Sequence, residues 1–410
     1  MFIFIFGPVL NKIGAWADII FIFSIFIFFL NLRKIKQINV APLYNFFILI
    51  LFYFILSIKI LFYPNLTILI WMLNFIKPFR ILFTLFSGYF ISKMLYNNNY
   101  KFYEIIKLIF VTIILHSLII IIQFFSIDFR DFIYSYTTTG EFRSTFEYEF
   151  RMGGLSGGSG GAVLSTVQSI GIIFVPFLLK VNKTVISRFL IFIGLLLIFL
   201  SIILTGRSGI YCLIIFLPLS IYQIYGSSKT FQYTFYIFSI SIVLFLFLNQ
   251  LLLTLELTEF YNSFYRTFDS FISLTETGKY ENETVLILKD YILFPDLQTF
   301  FFGSNDALLN YDVDRKLDSD IGYVRNIFSF GIIGFVLYLL PFITLIIYAI
   351  KKIKKSFPHK LLFILLLIMA FFHSKESFLY VRMFWSIISL ILGFIIVDNS
   401  HNKSKDICAV

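Results

Sequence analysis

Cysteine and histidine are nearly missing from this chain. Its 410 residues include two cysteines, Cys212 inside an apolar run and Cys408 in a polar tail, so neither a disulfide framework nor a cysteine metal site can be built. The four histidines, His116, His359, His373 and His401, lack the i, i+4 spacing that would put two imidazoles on one helical face. His116 reads instead as a residue that packs or hydrogen-bonds within a helix. No metal, no cofactor and no redox chemistry are expected. Charge is scarce as well: 14% of the residues are charged, where a soluble domain carries about 25%. With 59% hydrophobic residues, 20% aromatic residues and a mean hydropathy of +0.90, the chain reads as a polytopic membrane protein rather than a water-soluble globule. A net charge of +10 would suggest nucleic acid in a soluble domain, but the lysines fall in short clusters between apolar runs. The partner implied is the lipid bilayer, and no nucleic acid is expected.

Phe and Ile dominate the apolar runs, and both favour strands in water. Runs of about 20 residues in lipid must satisfy their backbone internally, which selects helices. The fold expected is all-α, a polytopic transmembrane helical bundle of about eleven spans, ten to twelve being compatible with the runs. No internal repeat at a fixed period is visible, so residues 1–410 read as one integral membrane domain. Residues 1–6 are too short to span and lack the basic start and cleavage region of a signal peptide; they read as an interfacial or half-membrane segment.

Basic clusters set the orientation. Arg33-Lys34-Ile35-Lys36 closes a first span at about 15–32, and a second follows at about 42–63. A third, about 76–96, begins near Lys77-Pro78-Phe79-Arg80 and ends in an inner turn at Asn97-Asn98-Asn99. The fourth, about 104–126, opens into an outer loop, 128–152, that holds Arg130, Arg143 and Arg151. Span five (about 153–179) returns to Lys180, Lys183 and Arg188, and span six (about 189–205) comes out at Thr205-Gly206-Arg207. Span seven turns at Gly226, and span eight, about 231–254, opens into the large outer loop 255–321. Span nine, about 322–350, ends at Lys351-Lys352-Ile353-Lys354-Lys355, and two more, about 360–374 and 378–397, close the chain.

Arg151 and Arg207 thus belong to one membrane face. A guanidinium near the hydrocarbon costs about 2.5 to 3.5 kcal/mol on insertion scales, and phosphate is its natural bidentate partner. Two such residues read as a pyrophosphate clamp, with Gly206, Ser208 and Gly209 leaving little side-chain bulk around Arg207. The glycine run 153–161 after Arg151 reads equally as close helix packing and as a nest of amides for an oxyanion. It lacks the Gly-Lys-Ser/Thr ending of a nucleotide P-loop. Two Asp-x-Asp spacings at Asp312-Val-Asp314 and Asp318-Ser-Asp320 read as a solvated acidic surface more than as a metal site for a nucleotide sugar. Asp320, at the join to span nine and near Arg325, is the general-base candidate.

Three stretches resemble the O-antigen polymerase (Wzy) and O-antigen ligase superfamily of bacterial inner-membrane glycosyltransferases. Leu204-Thr205-Gly206-Arg207-Ser208-Gly209 is similar to its span-opening Ser/Gly-Arg-Ser/Thr-Gly motif, and Arg151-Met-Gly-Gly154 to its Arg-x-x-Gly after an outer loop. Asp320-Ile-Gly-Tyr323 with Gly331-Ile-Ile-Gly334 resembles the motif leading into the span after the long loop, and Phe302-Gly303 fits the glycine before it. Arg143 and Gly154 have the Arg-x10-Gly spacing of polymerase loops. Asp320 stands where ligases carry histidine, which favours a polymerase. Gly-Ser-Gly replaces the Pro-Asn that often follows the early motif.

The resemblance implies a metal-independent, inverting glycosyltransferase of the bacterial inner membrane with its site facing the periplasm. It would transfer a glycan from undecaprenyl pyrophosphate to another lipid-linked oligosaccharide, with a chain-length regulator protein as partner. On this reading Arg151, Arg207, Asp320 and Arg325 are catalytic, while Arg143, Gly154, Ser208, Arg266 and Tyr323 bind substrate. An O-antigen ligase is the close alternative. A flippase for lipid-linked oligosaccharides is the distant one, and the dominant outer loop before span nine speaks against it.

Overall fold

The computed structural model describes residues 1–7, 9–10, 14–15, 68–137, 152–156, 161–226, 294–303, 321–354, 356–375, 379 and 381–408, with single residues at 19, 22, 26, 48, 51, 232 and 273. The expected spans at about 15–32, 42–63 and 231–254 lie outside these residues, as does most of the loop 255–321. Apart from a two-residue antiparallel ladder, β1 (Val9–Leu10) with β2 (Gly14–Ala15), the described architecture is helical. Six of the described helices are long and apolar enough to cross a membrane. The chain divides into two compact units, Met1–Ile19 with Tyr100–Asn282, and Ile20–Asn99 with Glu283–Val410.

The first unit contains α1 (Phe2–Phe6), α3 (Phe102–Phe125), α4 (Ile127–Tyr136), α5 (Ala162–Val181), α6 (Val185–Thr205) and α7 (Ser208–Tyr225), where α2 (Ile68–Asn97) belongs to the second. α5 is the enclosed helix, packing on α3, α6 and α7. Short connections at 182–184 and 206–207 force α5, α6 and α7 into antiparallel succession. Backbone contact is closest where side chains are smallest. A Cβ on Gly209 would lie 2.6 Å from Ser165 O, and one on Gly206 would lie 3.2 Å from the carbonyl carbon of Gly161. Gly209 N–H donates to Ser165 Oγ at 3.1 Å, so the start of α7 sits on the start of α5.

The unit has two chemically different ends. At one, Tyr103 Oη donates to Asn182 Oδ1 (2.5 Å), Lys180 Nζ to Ile224 O (2.9 Å) and Arg188 Nε to Asn182 O (3.1 Å), beside Lys101 and Lys183. The other end gathers the C-termini of α3 and α6 and the N-termini of α5 and α7, with Arg207 between α6 and α7.

The second unit holds α2, α8 (Leu297–Phe302), α9 (Gly322–Lys352), α10 (Phe357–Phe372) and α11 (Arg382–Cys408). α2 starts eight residues before the expected 76–96 boundary, so Lys77-Pro78 lies inside the helix rather than at its mouth. α2 and α11 meet through Gly88 and Ser92 on one helix and Ser389 and Gly393 on the other, each pair four residues apart on one face. Ser92 Oγ donates to Leu390 O at 2.8 Å, which removes a hydroxyl from the apolar surface and ties the helices.

α9 is interrupted at Gly331 (φ 67°, ψ 174°). Residues 332–352 supply about 31 Å of helix at ~1.5 Å per residue, enough to cross the hydrocarbon layer, which leaves 322–330 as a separate half-helix. The break is filled by backbone. A Cβ on Gly331 would fall 2.3 Å from Phe301 O, and one on Gly303 (φ 74°) would fall 2.4 Å from Ser329 O, so the end of α8 seats directly in the kink.

Candidate functional site

Arg207 is half-buried at the N-cap of α7, and its carbonyl accepts the N–H of Ile210 at 2.9 Å. Arg207 thus stands at the positive end of the α7 dipole, a setting that favours an anion, although the amides of Gly209 and Ile210 are already donated to Ser165 Oγ and Arg207 O. Ser208 is buried beside it. The sequence reading gave Gly206 and Gly209 the task of opening space for a headgroup; in the structure they serve close approach to Gly161 and Ser165.

Arg151 lies outside the described residues, but the segment that follows it does not. Met152 N–H donates to Leu204 O at 3.1 Å, three residues before Arg207. The early Arg-x-x-Gly and the later Gly-Arg-Ser-Gly stretches thus meet at one end of the first unit. Residues 153–156 are not the first turns of a span, as the expected boundary had them; α5 starts only at Ala162. Glycine-rich chain has little helix propensity, and here its donors are bound to side chains instead.

Those side chains come from α3. Gln123 Oε1 accepts the N–H of Gly154 at 2.9 Å and Gln123 Nε2 donates to Gly154 O at 3.4 Å, while the N–H of Leu155 donates to His116 Nε2 at 3.3 Å. Ser156 closes the turn through its N–H and Oγ, both donated to Gly153 O. Gly154 occupies the left-handed region (φ 58°), and a Cβ there would lie 2.5 Å from His116 Cε1. Two amides of the supposed nest, those of Gly154 and Leu155, are therefore already bonded to α3; residues 157–160 of the run lie outside the described ones.

Tyr323 and Arg325 stand on the half-helix 322–330 of the second unit. Tyr323 Oη donates to Ala370 O at 2.6 Å and its ring meets His373 edge-on at 4.6 Å. Asn326 Nδ2 lies 2.8 Å from His373 Nε2, so α10 fixes the rotation of the half-helix and with it the position of Arg325. Arg325 and Arg207 belong to different units. Asp320, Arg143 and Arg266 lie outside the described residues. Sequence reasoning missed Gln123 and Gln168 and expected His116 to pack or hydrogen-bond within a helix without naming its partners. The signal was present, because amides and an imidazole inside apolar spans demand partners.

These features define a helical membrane protein in which two arginine-bearing stretches of sequence meet at the end of the first unit opposite its lysines. Neither a protein-family model, nor a curated protein, nor a solved structure matches the chain.

Proposed function

We propose that this protein polymerises undecaprenyl-pyrophosphate-linked repeat units, in the manner of an O-antigen polymerase, at the outer face of a bacterial inner membrane. The observation that carries the reading is the Met152–Leu204 hydrogen bond, which joins the residue after Arg151 to the stretch of sequence leading into Arg207. The cluster Lys101, Lys180, Lys183 and Arg188 at the opposite end of the same unit supports an inward assignment for that end and an outward one for Arg207. The eleven-span count and the large periplasmic loop at 255–321 belong to the same proposal.

The donor sugar is already activated. An acceptor hydroxyl attacks its anomeric carbon, a new C–O bond forms as the C–O bond to pyrophosphate breaks, and the lipid pyrophosphate departs with the electron pair. One direct displacement inverts the centre. Arg151 and Arg207 neutralise the departing diphosphate, a role favoured by the N-terminus of α7. The resemblance assigns the hydroxyl proton to Asp320 and a further positive charge to Arg325. Arg143, Arg266 and Ser208 line the path of the glycan and its carrier in this scheme; Tyr323 and Gly154, bonded to Ala370 and to α3, act in its framework instead.

Purified protein in liposomes with a synthetic undecaprenyl-pyrophosphate repeat unit tests the reading. The expected product is a ladder of glycan lengths that forms without nucleotide and persists with a metal chelator. Absence of any ladder with a matched repeat unit contradicts it.

A further inference from the structure

The geometry points to His116 and Gln123 as positioning residues: they latch the segment that follows Arg151 onto α3 and so set where that arginine's chain enters the site. The inference deepens the polymerase reading and rests on it for its catalytic part.

His116 is fully buried, with Phe6 stacked on its ring (centroids 4.0 Å apart, planes at 10°) and Gly154 against its Cε1–Nε2 edge. Both nitrogens are engaged. A backbone N–H can only donate, so Nε2 accepts from Leu155 and carries no proton. The neutral ring then has its proton on Nδ1, 2.9 Å from the Gln168 amide, and needs an acceptor there. A half-turn of that amide, whose O and N are nearly isosteric, presents oxygen to Nδ1 and nitrogen to Ser117 Oγ, the atom 2.8 Å away. Ser117 still donates to Ile113 O (2.9 Å) and can receive Ser201 Oγ (3.0 Å), so the assignment leaves each of these donors with an acceptor. The chain of bonds links α3, α5 and α6 and ends on the Leu155 amide. Gln123 lies seven residues from His116, on the same face of α3, and supplies the second grip at Gly154.

Side-chain shape separates the latch from a merely filled core. A glutamine at 116 carries its amide where Nε2 was and can still accept from Leu155. An asparagine reaches only the Nδ1 side, keeping Gln168 and losing Leu155. Hydrogen exchange of the 152–156 amides is measured in the purified full-length protein alongside ladder formation. His116→Gln should retain both protection and polymer length, while His116→Asn should speed exchange at Leu155 about tenfold, the effect of one lost hydrogen bond, and shorten the ladder. Equal protection in the two variants overturns the latch. Should the His116 variants fail to fold, Gln123→Glu (acceptor kept) against Gln123→Met (acceptor lost) asks the same question at Gly154, with the same split expected and equal protection again overturning it. Protection reads the latch without catalysis, so a clear split in a protein that makes no ladder upholds the latch and rejects the polymerase reading. A polymerising wild type with no split does the reverse.

Discussion

Met152 and Leu204, far apart in sequence, share a backbone hydrogen bond of 3.1 Å. In a chain with Cys212 and Cys408 replaced by serine, cysteines at 152 and 204 should join through a short bifunctional thiol reagent. Separate, reactive thiols that never cross-link would contradict the joining of the two arginine-bearing stretches.

The kink in α9 makes a graded prediction about glycine. At Gly226 (φ 82°) no atom of the described residues lies within 4 Å of where a methyl group would stand, so among them Gly226→Ala meets only backbone strain, about 1 to 2 kcal/mol. Gly331→Ala adds to the same strain a methyl 2.3 Å from Phe301 O, and Gly303→Ala a methyl 2.4 Å from Ser329 O. Thermal melting in detergent should show a modest loss for Gly226→Ala and severe loss of folded protein for the other two. Similar melting in all three would remove α8 from the kink.

Tyr323 was expected to touch substrate, yet its hydroxyl already donates to Ala370 O. Tyr323→Phe should lower stability by about 1 kcal/mol and leave ladder length near normal, because the phenol acts between α9 and α10. A short ladder from a protein of unchanged stability would return the residue to glycan binding.

Asp296 caps α8. Its Oδ1 accepts the N–H of Thr299 (2.8 Å) and its Oδ2 the hydroxyl of Thr299 (2.9 Å), and these bonds hold its carboxyl below the usual carboxylate range. A depressed folded pKa means that the cap's contribution is complete above the unfolded value, about pH 4, and disappears as pH falls through the folded value. Exchange at the amides of α8, corrected for intrinsic rates, should be flat down to about pH 4 and rise below it. Asp296→Asn should keep the cap and abolish that rise. A persistent acid-induced rise in Asp296→Asn would assign the transition to another group.

Much of the helical framework was legible because hydropathy and punctuation agree. The expected spans at about 104–126 and 189–205 correspond to α3 (Phe102–Phe125) and α6 (Val185–Thr205), while the expected span at about 322–350 matches the bounds of α9 but not its break at Gly331. Asn97-Asn98-Asn99 and Gly226 end helices where turn chemistry says they should. Composition could not separate a glycine-rich approach from the first turn of a span, so the start of α5 was placed early. Nor does apolar content reveal that α2 continues upstream through Lys77-Pro78. In the candidate site, alternation of spans put Arg207 and the Arg-x-x-Gly segment on one expected face, but did not reveal the Met152–Leu204 hydrogen bond that joins their neighbours. The close seating of Gly206 and Gly209 on α5, and the grip of His116 and Gln123 on Gly154 and Leu155, depend on partners distant in sequence. The Gly-x-x-x-Ser and Ser-x-x-x-Gly faces of α2 and α11 were readable but unread.

The central claim is that a guanidinium at 207 stabilises a departing diphosphate. Arg207→Lys keeps the charge and removes the planar, two-pronged donor. In liposomes with the synthetic lipid-linked repeat unit, the variant should fold as the wild type does and lose ladder formation by on the order of a hundredfold. Wild-type rate and chain length from the lysine variant would contradict the account.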